Sequence, residues 1–216
     1  MLILGGLARA CLARPLAAAR LLSGGVEAGA VTALGGFREL RGDEVGLVEQ
    51  VAPEQAGTQA VDDEFDAMDV GVRLAFGLGA PDDEREMRAD TPFGSWRVHE
   101  YRTAAGLPVF VVAAPSSEPG VRRTNTPDSY EWFATELVGL QPGQRLLLVT
   151  SDIYVPFQHA DALRVLGLPY EVRVETMGIQ PGDLDPRLTQ AFSADAYLQE
   201  VRSTIMAFGR LLAAIG

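Results

Sequence analysis

Between Val109 and Gly167 the chain reads VFVVAAPSSEPGVRRTNTPDSYEWFATELVGLQPGQRLLLVTSDIYVPFQHADALRVLG, and this stretch constrains the fold more than any other. It alternates an apolar run, a polar loop and a capped helical segment, then repeats the pattern. Arg145–Val149 (RLLLV) is almost entirely apolar, which marks a strand buried on both faces of a parallel sheet. In such a sheet the loops after neighbouring strands gather at one carboxyl edge, and ligands bind in the crevice there. The sequence therefore indicates a place before it indicates a reaction.

The rest of the chain extends the pattern. Met1–Leu4 is an apolar run ended by Gly5-Gly6, and Ala30–Leu34 is another ended by Gly35-Gly36. Between them Leu7–Leu22 is helical, with Leu7, Ala10, Cys11, Leu21 and Leu22 on a buried face and Arg9, Arg14 and Arg20 elsewhere. Pro15 argues for two helical pieces, or for a helix that begins near it. Glu44–Asp63 has little pattern and reads as a loop with partial helix. In Asp62–Leu78 the residues Phe65, Met68, Val72, Ala75 and Phe76 recur at helical spacing.

Gly79–Asp90 reads as a charged turn, and Ser95–Thr103 with Leu107–Ala114 as a hairpin. Thr126 can serve as N-cap of the next helix, with Pro127 at its first position and Asp128 favouring the dipole. A helix over Phe157–Leu166, a strand over Glu171–Met177 and a final helix capped by Ser193 complete the chain. That order predicts one α/β domain over 1–216 with a Rossmann-like, mostly parallel sheet of about five strands. Helices cover both faces, and a β-hairpin is inserted.

Composition removes several functions. All 18 basic residues are arginine, so no Schiff-base lysine and no Walker A lysine exists. A net charge of −11 argues against nucleic acid as a partner. Cys11 is the only cysteine, which excludes an intrachain disulfide and a thiolate metal cluster; no metal site is expected. No apolar run approaches the roughly 20 residues of a membrane span. The opening MLILGGLARAC superficially imitates a targeting segment, but its apolar residues precede the basic ones, and a buried strand closed by a glycine turn is the better reading. The expectation is a cytoplasmic protein of open oligomeric state.

Reactive side chains concentrate in the loops after the predicted strands. Gly5, Gly6, Gly35 and Gly36 permit either tight turns or close approach of backbone amides to an anion. Arg38 and Arg41 follow the second strand and Arg122-Arg123 the third. They are either anion-binding forks or surface arginines paired with Asp43, Glu44 or Glu118. Ser117, Glu118, Asn125 and Thr126 share that edge, and one of the last two caps the helix. Thr150, Ser151 and Asp152 end the fourth strand. A triad of Ser151, His159 and Asp152 has neither the order nor the spacing of a nucleophile elbow.

These motifs resemble a known family. Glu118–Ser129 (EPGVRRTNTPDS) and LLLVTSDIYVPFQHADALRVLG are similar to two signature segments of the SanA/ElyC/YdcF-type envelope family, and LILGG and TALGG are similar to its two glycine-ended strands. Within that resemblance 79–103 is an insertion. Arg123 stands where serine is usual, Asp128 for Glu, Ser129 for Asn, Tyr154 for His and Phe157 for Arg. The resemblance implies a Rossmann-like fold, a role in the cell envelope and a nucleotide-like ligand such as S-adenosylmethionine. The membrane anchor carried by some members is not expected here.

Three functional expectations follow. The first is binding of a small anionic or nucleotide-like molecule by Gly5, Gly6, Gly35, Gly36, Arg38, Glu118, Arg123, Asn125, Thr126, Thr150 and Ser151. The second is a hydrolase or transferase with Glu118 or Asp152 as base, although without a His at position 154 its acid–base set is incomplete. The third is a non-catalytic interaction module using Trp96 and the final helix.

Overall fold

The computed structural model describes residues 1–216. In chain order the elements are β1 (Leu2–Ile3), α1 (Ala8–Ser23), β2 (Val31–Leu34), α2 (Asp43–Val51), α3 (Pro53–Ala56) and α4 (Glu64–Phe76). There follow β3 (Asp83–Met87), β4 (Trp96–Arg102), β5 (Pro108–Ala113) and α5 (Thr126–Trp132), which widens into a π turn over Phe133–Leu137. The chain ends with β6 (Arg145–Ser151), α6 (Val155–Ala162), α7 (Leu168–Tyr170), β7 (Arg173–Ile179) and α8 (Ala194–Ile215). One seven-stranded sheet has the order β3-β4-β5-β2-β1-β6-β7. The five strands from β5 to β7 are parallel, whereas β3 and β4 add an antiparallel edge. Rossmann-like α/β architecture is therefore present, with the switch point between β1 and β6.

Why the strands lack alternation is visible in the core. Ile3, Val31, Ala33, Val109, Val111 and Val149 face one layer with α1, α2 and α4. Leu2, Leu4, Leu34, Val112, Leu146 and Leu148 face the other with Tyr130 and Phe133. Successive strand residues point to opposite faces, so a sheet covered on both sides needs apolar residues at every position.

Several segments differ from the expectation. α1 runs unbroken through Pro15. Pro15 has no N–H to offer the Cys11 carbonyl, but that carbonyl is received by Gly71 of α4, where a Cβ would overlap it. Arg14 lies on the buried side of α1, not off it, and is 1% exposed. Asp43–Ala56 is mostly helical as α2 and α3. The N-cap of α5 is Asn125 rather than Thr126: its side chain accepts from the Asp128 amide at 3.0 Å, and Asp128 accepts from the Asn125 amide at 3.0 Å. Within 79–90, Asp83–Met87 forms edge strand β3, exposed at every residue. Its charges disguise it in the sequence and pair across to β4, Glu86 with Arg97 at 3.4 Å. Charged edges of this kind resist strand addition.

The Gly71–Cys11 approach makes a specific demand. We predict that Gly71→Ala destabilises the fold by about 1–3 kcal/mol, because two helices must separate to admit one methyl group. Gly46→Ala in α2, where no heavy atom crowds the added carbon, is expected to be neutral or stabilising by up to about 1 kcal/mol. Urea denaturation of both variants measures the difference.

Candidate functional site

A cavity of ≈ 490 Å³ opens at the carboxyl ends of β1, β2 and β5, within the size range of small-molecule sites. Gly5, Gly6, Gly35, Gly36, Arg38, Arg123, Asn125 and Thr126 all line it. The two glycine pairs divide their work. A Cβ on Gly5 would strike the Leu34 carbonyl, and one on Gly35 would lie 2.8 Å from the Phe65 Cα, so these two let the chain turn tightly. Gly6 and Gly36 are less crowded by backbone. Among the four amides only that of Gly35 is used within the chain, donating to the Val112 carbonyl at 2.7 Å. The amides of Gly5, Gly6 and Gly36 remain available at the cavity wall.

Beneath Gly6 lies the group that sequence reasoning missed. Arg14 reaches from α1 toward the ends of β1 and β6. Its guanidinium donates to the Leu4 carbonyl at 2.7 Å, to the Gly5 carbonyl, and to Ser151 Oγ at 3.2 and 3.4 Å. Tyr154 supplies its ring at 5.6 Å. Every hydrogen-bond partner is uncharged, and burial pushes the Arg14 pKa down to about 10. A signal existed in the sequence. Leu7, Ala10, Cys11, Arg14, Ala17, Ala18 and Leu21 follow one helical stripe, and Arg14 occupies its centre.

Arg38 is engaged on one wall. It bonds Glu44 Oε1 at 2.8 Å and Glu64 Oε1 at 2.6 Å, and the Glu44 hydrogen bond is the main reason its pKa rises. Glu44 also accepts from the Ala8 amide at 3.0 Å, occupying the positive end of α1, and from the Arg41 amide at 3.0 Å. Burial by itself would raise the Glu44 carboxyl, but Arg38 and the two amides outweigh it and bring it to about 2. Glu64 lines the cavity, and there burial dominates and raises its pKa. Arg123 lines the opposite wall, exposed and outside every ion pair of the chain. Pro92, Phe93 and Ser95 complete the wall from the segment read as an insertion. Only the loop's arrival over the sheet edge reveals them.

Other residues singled out in the sequence lie elsewhere. Thr150 does not line the cavity but bonds Gln158, which does. Ser151 is buried against Arg14. Glu118 pairs with Arg122 at 2.8 Å, and Arg122 also binds Asp128 at 2.6 Å, on the outer side of the α5 N-terminus. Asp152 accepts from Gln180 at 2.6 Å beside a separate shallow depression. His159 contacts Thr176 at 2.9 Å, so Ser151, Asp152 and His159 share no hydrogen bond. Cys11 is buried and its thiol is pushed up to about 12, chiefly by burial. No cluster of three or more His, Cys, Asp or Glu side chains is placed to hold a metal ion.

The chain is 35% identical over 201 residues to uncharacterized proteins of Mycobacterium bovis and Mycobacterium tuberculosis. The match covers 90% of this chain and 54% of the relatives, so the chain spans about half the length of the curated relatives it matches. No family model matches the chain, and no solved structure does. No helix is long and apolar enough to cross a membrane.

The Glu44 cluster carries a pH dependence. Against an ordinary value of 4.5 its folded carboxyl sits at about 2, so its contribution is whole above pH 4.5 and is lost as pH falls toward 2. Asp63, raised by burial from 3.8 to about 6, acts in the opposite sense, its ionisation costing stability as pH rises from 3.8 through 6. Comparison with Glu44→Gln at each pH isolates the first effect. We predict a deficit of about 1.5–3 kcal/mol at pH 7 that shrinks steadily below pH 4.5, read by urea denaturation across pH.

Proposed function

We propose that the protein binds a small anionic or nucleotide-like molecule in the cavity between the β1, β2 and β5 loops. The observation that carries this reading is the buried Arg14 guanidinium, hydrogen-bonded only to neutral oxygens and with no carboxylate in contact, behind the unused amides of Gly5 and Gly6; the Glu64 carboxylate on the cavity wall offsets its charge only at a distance. A buried cation is costly unless a counter-charge arrives, and an anion at the glycine edge would supply one. Backbone amides at the start of a helix are suited to the same ligand. Arg123, facing the cavity without a partner, is the fork that would close on its phosphate or carboxylate. Asn125 and Thr126 stand at the α5 N-terminus, and Arg38 would act through Glu64 as a wall rather than as the primary contact.

The resemblance to the SanA/ElyC/YdcF-type family supports a nucleotide-like ligand, S-adenosylmethionine among them, and a role in the cell envelope. The hydrolase or transferase reading has less to draw on. Glu118 and Asp152 are committed to Arg122 and Gln180 and neither lines the cavity.

Thermal-shift titration with inorganic phosphate, ADP and S-adenosylmethionine tests the proposal. At least one is expected to raise Tm. Arg123→Ala is expected to weaken that compound roughly tenfold or more while leaving the unliganded Tm unchanged, because the side chain is exposed and unpaired. Absence of a shift from all three, or a shift indifferent to Arg123→Ala, would overturn it.

A further inference from the structure

α8 is built inside out. Its small residues face the protein: Ala207 is buried, with Leu211, against Ala160, Phe157 and Leu163 of the α6 region. Apart from Leu211, its large apolar residues face away. Leu198, Val201, Ile205, Phe208, Leu212 and Ile215 are between 43% and 67% exposed. They succeed one another at intervals of three, four, three, four and three residues. That alternation of three and four is the heptad seam of a left-handed helix pair, in which each side chain enters a hole on a facing helix.

We propose that this face pairs with the same face of a second copy of the chain, making a two-fold dimer through α8. Three observations favour a second copy over other occupants. With Tyr197, also more than half exposed, the strip presents on the order of 800 Å² per protomer, the area one partner contributes to a standard stable interface. The charge of α8 is balanced, Asp195 and Glu200 against Arg202 and Arg210. In a chain of net charge −11, such a strip lets two copies approach with little repulsion. A two-fold interface requires a surface complementary to itself, which an apolar, heptad-spaced and neutral strip is. A membrane surface would call for a strongly basic polar side; α8 carries only Arg202 and Arg210 there, and Arg210 is paired with Asp161.

Sedimentation equilibrium of the full chain from roughly 1 to 100 µM, a range that spans ordinary dimer dissociation by mass action, reads the assembly. Twice the 23.1 kDa protomer mass is expected. The double variant Ile205→Glu/Leu212→Glu should remain at one protomer's mass throughout, its dimer Kd raised at least 100-fold, with unchanged circular dichroism and Tm. Val201→Arg should behave alike and guards against a folding defect of the first variant. A wild-type chain that stays a monomer overturns the proposal, as does any mass other than twofold, or an assembly that survives both variants. None of these outcomes bears on the anion cavity, which lies at the β1, β2 and β5 ends.

Discussion

Arg14 holds the carboxyl edge of the sheet together. One guanidinium donates to the Leu4 and Gly5 carbonyls just beyond β1 and to the hydroxyl that ends β6, and so bridges the ends of the two strands between which the connections reverse direction. The crevice at such a switch point exists because helices leave to opposite faces. Here α1 departs from that point and returns a cation to it two turns later. A neutral side chain could fill the volume, but it could not satisfy three oxygens from two strands at once. The cost is a buried charge, reflected in the fall of its pKa to about 10. The electrostatics of the cavity and the geometry of the sheet edge thus share one residue.

A second layer sets the cavity's width. Glu44 caps α1 through Ala8 and holds Arg38, which in turn holds Glu64 at the first position of α4. α1 and α4 meet at the Cys11 carbonyl and Gly71, so the same two helices are fixed at their starts by charge and further along by backbone contact. Asp63 and Asp66 close a capping box at the start of α4, which directs Glu64 toward Arg38. Within this cluster Glu44 and Glu64 experience opposite balances. Several donors converge on Glu44, whereas desolvation prevails at Glu64.

The legible part of the fold was the part governed by burial on both sheet faces and by helix ends. The runs at 1–4, 30–34, 107–114 and 145–149 and the caps at Asn125 or Thr126 and at Ser193 follow from local physics, and each lies within a residue or two of its observed element. Edge strand β3 was hidden because an exposed strand has no core to impose alternation, and its charges imitate a turn. Pro15 misled because the Cys11 carbonyl that it leaves without a helix donor packs closely against Gly71, 56 positions from Pro15 in the chain, where no local rule operates. At the site, the glycine pairs, Arg38, Arg123 and the α5 N-terminus were legible as loops after strands. Arg14 and Glu64 were not, since a charged residue inside an apolar stripe is ordinarily assigned to the solvent side. Pro92, Phe93 and Ser95 depended on where a long connection folds back.

Tyr154 and Phe157 explain how the site and α8 share a boundary. Their rings stand 6.1 Å apart, edge to face. Tyr154 meets Phe192 at 6.1 Å, and Phe192 meets Tyr197 of α8 at 6.0 Å. Tyr154 also lies over the Arg14 guanidinium, so an aromatic chain runs from the buried cation to the first turn of the outward-facing helix. Edge-to-face pairs of this kind contribute about 0.5–1.5 kcal/mol each beyond the area they bury. The two rings supply packing at that corner. That packing anchors the N-terminal end of α8 where the small-residue seam with α6 begins. An α/β protein with this corner is arranged to hold a charge still and to position a helix, and both draw on two aromatic side chains where β6 passes into α6.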